Sequence, residues 1–108
     1  MYTQSKHYLD FHLAGFTYWD GLEVIEDLKI GTELALQSEP DCPQDPDAVA
    51  IYYGKYKLGY IPRACNAEIS KLLYFGHGDI FETRICGVFP DKHPEQQFRV
   101  TIKIRDAR

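Results

Sequence analysis

The sequence lacks the cysteine and histidine patterns that organise disulfide-linked domains and zinc sites. It contains only three cysteines, Cys42, Cys65 and Cys86, which are widely spaced and form no C-x-x-C pair. A disulfide framework needs an even, patterned set of cysteines, and zinc ligands usually come in closely spaced pairs. The four histidines are scattered as well. We therefore expect reduced thiols, as in an intracellular protein, and no bound metal.

Long apolar runs and nucleotide-binding motifs are also missing. No stretch approaches the roughly 20 apolar residues of a membrane-spanning helix, and the first residues, MYTQSKHYLDF, contain no apolar segment of secretory length. The phosphate-binding pattern G-x-x-x-x-G-K-[ST] is absent, and no cysteine lies in a recognisable catalytic motif. These absences favour a cytoplasmic protein that has no membrane partner, no cofactor and no enzymatic activity.

Positive charge is in short supply. Twelve Lys and Arg face sixteen Asp and Glu, so the formal net charge is −4. Proteins that coat duplex DNA draw their affinity from many cations that displace counterions, and this composition argues against that mode. A local site with one or two cations for phosphate remains compatible with an acidic chain.

Aromatic side chains are plentiful. Eight Tyr, six Phe and one Trp make up 14% of the sequence. Some of these rings must belong to the core, but Tyr and Trp also stack on bases and fill recognition pockets. The total of 108 residues is enough for one hydrophobic core, so residues 1–108 are interpreted as a single domain.

Alternating apolar residues predict a mainly β protein with about six strands. The clearest case is 97–105, where Phe98, Val100, Ile102 and Ile104 share one face. The predicted strands are residues 8–16, 32–38, 48–53, 57–61, 79–88 and 97–105. Such a set favours a small barrel or a strongly curved sheet whose closure protects its edges.

Only one convincing helix is predicted. Pro62 precedes an amphipathic stretch, and Gly76 provides a C-terminal stop. Asp20-Gly21 is a turn dipeptide that ends the segment TYWDG. The segment 39–47, with its prolines and acids, is interpreted as a rigid loop.

Two blocks carry a family resemblance. The block AGFTYWDG at 14–21 is similar to an A-G-x-x-[YF]-[YW]-x-G opening. The block at 39–70 has an acidic, proline-containing loop, then D-x-x-A-[VI], a hairpin, L-G-Y-I-P-R and N-A-x-I. Together with the flanking strands, the chain resembles the HIRAN family from about Tyr8 to Ile104.

This resemblance implies a fold, a ligand and a set of site residues. HIRAN modules are OB-like β-barrels, so we expect a small six-stranded barrel with one short helix. They bind the 3′ end of single-stranded DNA in repair or replication-fork processing, alone or beside helicase or nuclease domains. By position, Tyr18 and Trp19 match the stacking aromatics, Asp45 the acceptor of the 3′ hydroxyl, and Tyr60 and Arg63 the phosphate contacts.

The chemistry of these residues agrees with the implied role. A free 3′ hydroxyl can donate to the ionised carboxylate of Asp45, whereas a continuing strand would bring a phosphate of like charge against it. Arg63 is expected in the first turn of the predicted helix, where unpaired backbone N–H groups also attract phosphate. Stacking on Tyr18 or Trp19 contributes about 1–3 kcal/mol per base with little sequence preference.

Departures from the family pattern keep an alternative function open. Thr17, Gln44 and Asp91 stand where relatives offer a cation or aromatic rings. A protein-interaction adaptor that retains the fold but has lost DNA binding would explain these changes together with the acidic charge. The sequence does not distinguish DNA from RNA as the ligand.

Four of the five site residues also have a structural interpretation. The two adjacent aromatics could belong to the core, and Asp45 could cap its own loop. Arg63 could be a solvated residue that pairs with Glu39 or Asp41.

Overall fold

A computed structural model gives the fold and describes residues 5–16, 19–43, 45–89, 91–92 and 97–105. The elements, in chain order, are β1 (Ser5–His12), a 3-10 helix (Asp20–Asp27), β2 (Glu33–Ser38), β3 (Val49–Tyr53), β4 (Tyr56–Tyr60), a 3-10 turn (Arg63–Cys65), α1 (Ala67–Tyr74), a 3-10 turn (Gly78–Ile80), β5 (Phe81–Val88) and β6 (Phe98–Arg105). The prediction of a mainly β protein with six strands is confirmed.

The six strands form one antiparallel sheet that curls into a half-barrel. Their order across the sheet is β1-β6-β5-β2-β3-β4. The strand β2 belongs to both halves, because Glu33 and Leu34 pair with β5 while residues 35–38 pair with β3. Strand β2 therefore changes its pairing partner along its length, and the sheet bends there. This arrangement agrees with the expected OB-like fold.

The two edge strands meet at one point. Two residues beyond the end of β1, Ala14 donates its N–H to the carbonyl of Tyr60 at 3.0 Å, and the Tyr60 N–H donates to the carbonyl of Ala14 at 2.9 Å. This bridge joins the end of β1 to the end of β4. The bridge requires a glycine at position 59. Gly59 has a φ of +155°, and a Cβ atom added to it would lie 2.3 Å from the carbonyl oxygen of Ala14. The approach of the two edges thus depends on a missing side chain.

The inner face of the curled sheet holds the core. Strand β6 buries Phe98, Val100 and Ile102, as its alternation predicts, and the ring of Phe98 lies 4.8 Å from that of Phe16. The other buried apolar residues of the cluster are Phe11, Leu13, Val24, Leu28, Val49, Ile51, Leu58, Ile61, Ile69, Phe81 and Ile85. Helix α1 contributes Ile69 to this core and packs against β2.

The predicted helix begins later than its sequence suggests. Arg63 belongs to a separate 3-10 turn, and α1 begins at Ala67, so the expectation that Arg63 lies in the first turn of this helix is wrong. Asn66 separates the two segments. The predicted stop is confirmed, since Gly76 has a φ of +84° and the N–H of His77 donates to the carbonyl of Leu72.

A second helical segment replaces the predicted Asp20-Gly21 turn. These residues begin the 3-10 helix, which buries Val24. The turn dipeptide therefore marks the start of a helical segment in this chain. None of the helical segments in the described ranges is both long enough and apolar enough to span a membrane.

We predict that Gly59→Ala strongly destabilises the fold, because its methyl group would collide with the Ala14 carbonyl. The strained backbone and the two weakened hydrogen bonds should together cost about 3 kcal/mol of unfolding free energy. Thermal denaturation should then show a Tm lower by roughly 10–20 °C.

Gly54→Ala is the matched control for this variant. Gly54 also has a positive φ, of +58°, but a Cβ atom added to it would have no other atom of the described residues within 4 Å beyond its two chain neighbours. Its loss should cost only about 1 kcal/mol. Equal destabilisation by both substitutions would contradict a special role for the contact with Ala14.

Candidate functional site

A groove of about 840 Å³ lies where the two edges of the sheet meet. This volume falls within the range of roughly 300–1,000 Å³ that is typical of small-ligand sites. The lining residues come from both sequence blocks that carry the family resemblance. They are Ala14, Gly15, Trp19, Glu39, Cys42, Pro43, Asp45, Ala48, Lys57, Tyr60, Ile61, Pro62, Arg63 and Asn66.

Four of the five candidate site residues line this groove, namely Trp19, Asp45, Tyr60 and Arg63. The fifth, Tyr18, lies outside the described residues, as do the departures at Thr17 and Gln44. Asp91 is exposed and is not among the lining residues. The structure therefore brings candidate residues as far apart in the sequence as Trp19 and Arg63 together at one concavity.

A bulge in β4 decides which side chains enter the groove. Gly59 pairs with Ile51, but Lys57 pairs with Tyr52, so Leu58 is an extra residue in the ladder. Because of this extra residue, Lys57 and Tyr60 share a face although they are three positions apart. In a regular strand they would point to opposite sides.

Lys57, Tyr60 and Glu39 form a closed hydrogen-bond network in the groove. The Lys57 Nζ donates to Glu39 Oε2 at 2.9 Å and to the Tyr60 hydroxyl at 2.6 Å. The Tyr60 hydroxyl donates its proton to Glu39 Oε1 at 2.7 Å. Each carboxylate oxygen of Glu39 therefore accepts one hydrogen bond from this network.

These contacts change the protonation equilibria of the network. Burial acts to raise the pKa of Glu39, but the hydrogen bonds from Lys57 and Tyr60 outweigh it and hold this pKa below its usual value. Burial acts to lower the pKa of Lys57, and the bonds to Glu39 and Tyr60 raise it instead. At neutral pH the network is therefore an ion pair between Lys57 and Glu39.

The indole of Trp19 stands beside this ion pair. The Lys57 Nζ lies 3.9 Å from the centroid of the indole, and the Tyr60 ring meets it edge-on, with centroids 5.7 Å apart and planes at 74°. Trp19 is still 40% exposed. The interpretation of this residue as a core aromatic is therefore wrong, and its ring is presented at the groove.

Asp45 is held in place by its own loop and by Asn66. Its Oδ1 accepts the N–H of Asp47 at 2.9 Å, and its Oδ2 accepts the side-chain amide of the buried Asn66 at 2.8 Å. The amide bond from Asn66 and the backbone bond from Asp47 hold the pKa of Asp45 below its usual value. Asp45 is thus an oriented, ionised carboxylate, and the loop-capping interpretation is correct for it.

Arg63 extends over the rim of the groove. Its side chain is 71% exposed, and its Nε lies 3.6 Å from Asp45 Oδ2. Glu39, one of the two acids suggested as its partner, pairs with Lys57 instead. The guanidinium is therefore placed at the mouth of the groove, beside the carboxylate of Asp45.

Three site residues were missed by the sequence analysis: Glu39, Lys57 and Asn66. The spacing of Lys57 from Tyr60 indicates opposite faces, and only the bulge overrides it. Asn66 lies in the matched N-A-x-I segment, which signals its importance but not its contact with Asp45.

Among the described residues, no group of three or more His, Cys, Asp or Glu side chains could hold a metal ion.

Known proteins share the fold that carries this groove. A protein of Lactobacillus plantarum, solved by a structural genomics consortium, matches with a TM-score of 0.78 and 19% identity over 97% of this chain and 99% of that chain. The HIRAN domain of human HLTF matches with a TM-score of 0.67 and 15% identity over 94% of this chain and 78% of that chain. No curated protein matches the chain in sequence.

The family itself is shown by sequence. The family model described as the HIRAN domain matches residues 6–105, which is nearly the whole chain and includes both blocks that form the groove. The chain therefore belongs to the HIRAN domain family, which is known for nucleic-acid binding.

Proposed function

We propose that this chain is a nonenzymatic DNA-binding module whose groove receives the 3′-hydroxyl end of a single strand. The observation that carries the proposal is the convergence of an oriented carboxylate, a guanidinium and an exposed indole on one groove. An end needs a hydrogen-bond acceptor, its last phosphate needs a cation, and its last base needs a flat ring. Asp45, Arg63 and Trp19 supply these three groups.

The carboxylate of Asp45 provides the selection for an end. A terminal hydroxyl donates a hydrogen bond to it, whereas a 3′ phosphate or a continuing strand brings negative charge against it. The carboxylate is already oriented by Asp47 and Asn66, so binding does not have to order it. A carboxylate has about four acceptor positions, and Asp45 therefore retains capacity for a further donor.

Tyr60 has a different role in this proposal from the phosphate contact that the family resemblance implies for it. Its hydroxyl proton is donated to Glu39, so a direct hydrogen bond to a phosphate would break that contact. We assign Tyr60 to positioning, because its ring and hydroxyl contact Trp19 and Lys57 respectively. The direct phosphate contact is assigned to Arg63.

The charge balance of the groove fits one strand end. Lys57 and Arg63 face Glu39 and Asp45, so the formal charges of these four groups cancel. Such a site can accommodate the last phosphodiester group of a strand beside Arg63 but gives little attraction to a long phosphate backbone. In the cell, such a module would position a helicase or nuclease partner at damaged or stalled DNA, and we place it in the cytoplasm.

A protein-interaction adaptor is the second candidate function. Two exposed aromatics, Tyr74 at 72% and Phe75 at 69%, lie at the end of α1, and the cancelled charges of the groove weaken its attraction for DNA. Retention of a protein partner together with no DNA binding at low salt would favour this candidate.

We predict a graded response to the chemistry of the strand end. In fluorescence anisotropy, a short oligonucleotide with a 3′ hydroxyl should bind about tenfold more tightly than the same strand with a 3′-deoxy end, because the deoxy end lacks one charge-assisted hydrogen bond. A 3′-phosphate end should bind more weakly still. A 5′ phosphate is the control and should have little effect; equal binding of all three 3′ ends would refute end recognition.

Asp45→Asn should remove this discrimination. The amide still accepts the Asp47 N–H, but it no longer repels a 3′ phosphate. Affinities for hydroxyl and phosphate ends should therefore converge to within about threefold. Asp47→Asn makes the same charge change in the same loop, at a side chain that does not line the groove, and should leave the discrimination intact.

Arg63→Ala should weaken all single strands by a similar factor. A lost phosphate contact should reduce the slope of log K against log salt concentration by about one. Arg84→Ala is the matched control, since Arg84 is a partly exposed arginine on β5 that pairs with Glu33 outside the groove. A change confined to hydroxyl ends, or the same change in both variants, would count against a phosphate role for Arg63.

A further inference from the structure

Lys57 is the more enclosed of the two cationic side chains that line the groove. Its side chain is only 14% exposed, compared with 71% for Arg63. Its ammonium group touches Glu39, the Tyr60 hydroxyl and the face of the Trp19 indole. Neither a structural ion pair nor a phosphate contact requires the third of these contacts.

The donors of Lys57 are already committed. An ammonium group has three N–H donors. Glu39 and Tyr60 receive two of them, and the ammonium lies 3.9 Å from the centroid of the Trp19 ring. A direct bond to phosphate would have to displace one of these partners. The geometry therefore favours an action of Lys57 through the indole.

We propose that Lys57 is a specificity-determining residue: its ammonium, held against one face of Trp19, makes the other face a stacking platform that prefers a terminal purine. This inference rests on the proposed function and names the kind of strand end that the groove selects. Glu39 and Tyr60 act as positioning residues, since they hold the ammonium in place.

The preference follows from the electrostatics of stacked rings. A cation over an indole is attracted to its electron-rich face, which leaves the opposite face less negative. Such a face attracts an electron-rich partner, and purines offer a larger and more electron-rich surface than pyrimidines do. Trp19 is 40% exposed although Lys57 covers one side of its indole and Tyr60 meets it edge-on. The side opposite Lys57 is assigned to one stacked base.

The test uses oligonucleotides of one sequence that end, at a free 3′ hydroxyl, in a purine, a pyrimidine or an abasic nucleotide. Trp19 is the only tryptophan of the chain, so its fluorescence reports directly on this ring. In the unaltered protein, a terminal purine should bind about tenfold more tightly than the abasic end and should quench Trp19 more strongly than a pyrimidine does.

Lys57→Met should reduce the ratio between purine and abasic affinities about fivefold. The variant also leaves the carboxylate of Glu39 without its cation, which weakens binding of both ends by a common factor that cancels in this ratio. It should also change the emission of Trp19 in the free protein. Lys57→Arg retains a cation and should retain the preference. Lys55→Met is the matched control, since Lys55 lies on the same hairpin, 5.5 Å from the ring of Tyr56, and should change neither property.

The outcomes separate this inference from the proposed function. If the unaltered protein binds no strand with a 3′ hydroxyl, the proposed function fails, and the inference that rests on it fails as well. If it binds, but Lys57→Met weakens purine and abasic ends by the same factor, Lys57 has no effect on stacking and only the inference is overturned. Should Lys57→Met not fold, equal affinities of the unaltered protein for purine and pyrimidine ends overturn the inference without any variant.

Discussion

Two backbone hydrogen bonds between Ala14 and Tyr60 bring the separate parts of this molecule together. Each contributes only about 0.5–1.5 kcal/mol to stability. Their larger effect is geometric, because they join the end of β1 to the end of β4 and place the segment that carries Trp19 beside Tyr60. Without Gly59 the segment after β1 and the end of β4 could not approach so closely, and the groove between them would not have this shape.

Inside the groove, the charged groups are arranged in pairs. Lys57 and Glu39 are largely enclosed, and removing either partner alone would leave an enclosed charge without compensation. Their hydrogen bonds explain why the pKa of Glu39 is lowered and that of Lys57 is raised although burial opposes both shifts. The pair therefore stays ionised around neutral pH and keeps its cation against the indole.

Asp45 illustrates how a structural and a binding role can belong to one side chain. Its contacts with Asp47 and Asn66 cap the loop and also fix the direction of the carboxylate. A binding group that is oriented before the ligand arrives avoids the entropic cost of ordering it. The loop cap and the proposed recognition of a strand end are for this reason compatible.

Local sequence patterns determined the strands and the stop at Gly76, because alternation and turn chemistry act over a few residues. The site residues Trp19, Asp45 and Arg63 were implied by the resemblance to the HIRAN family. The α-helix start at Ala67 and the groove position of Lys57 were decided only by the tertiary structure. A single extra residue in a strand reverses the direction of every side chain beyond it, and the sequence does not mark where that residue is placed.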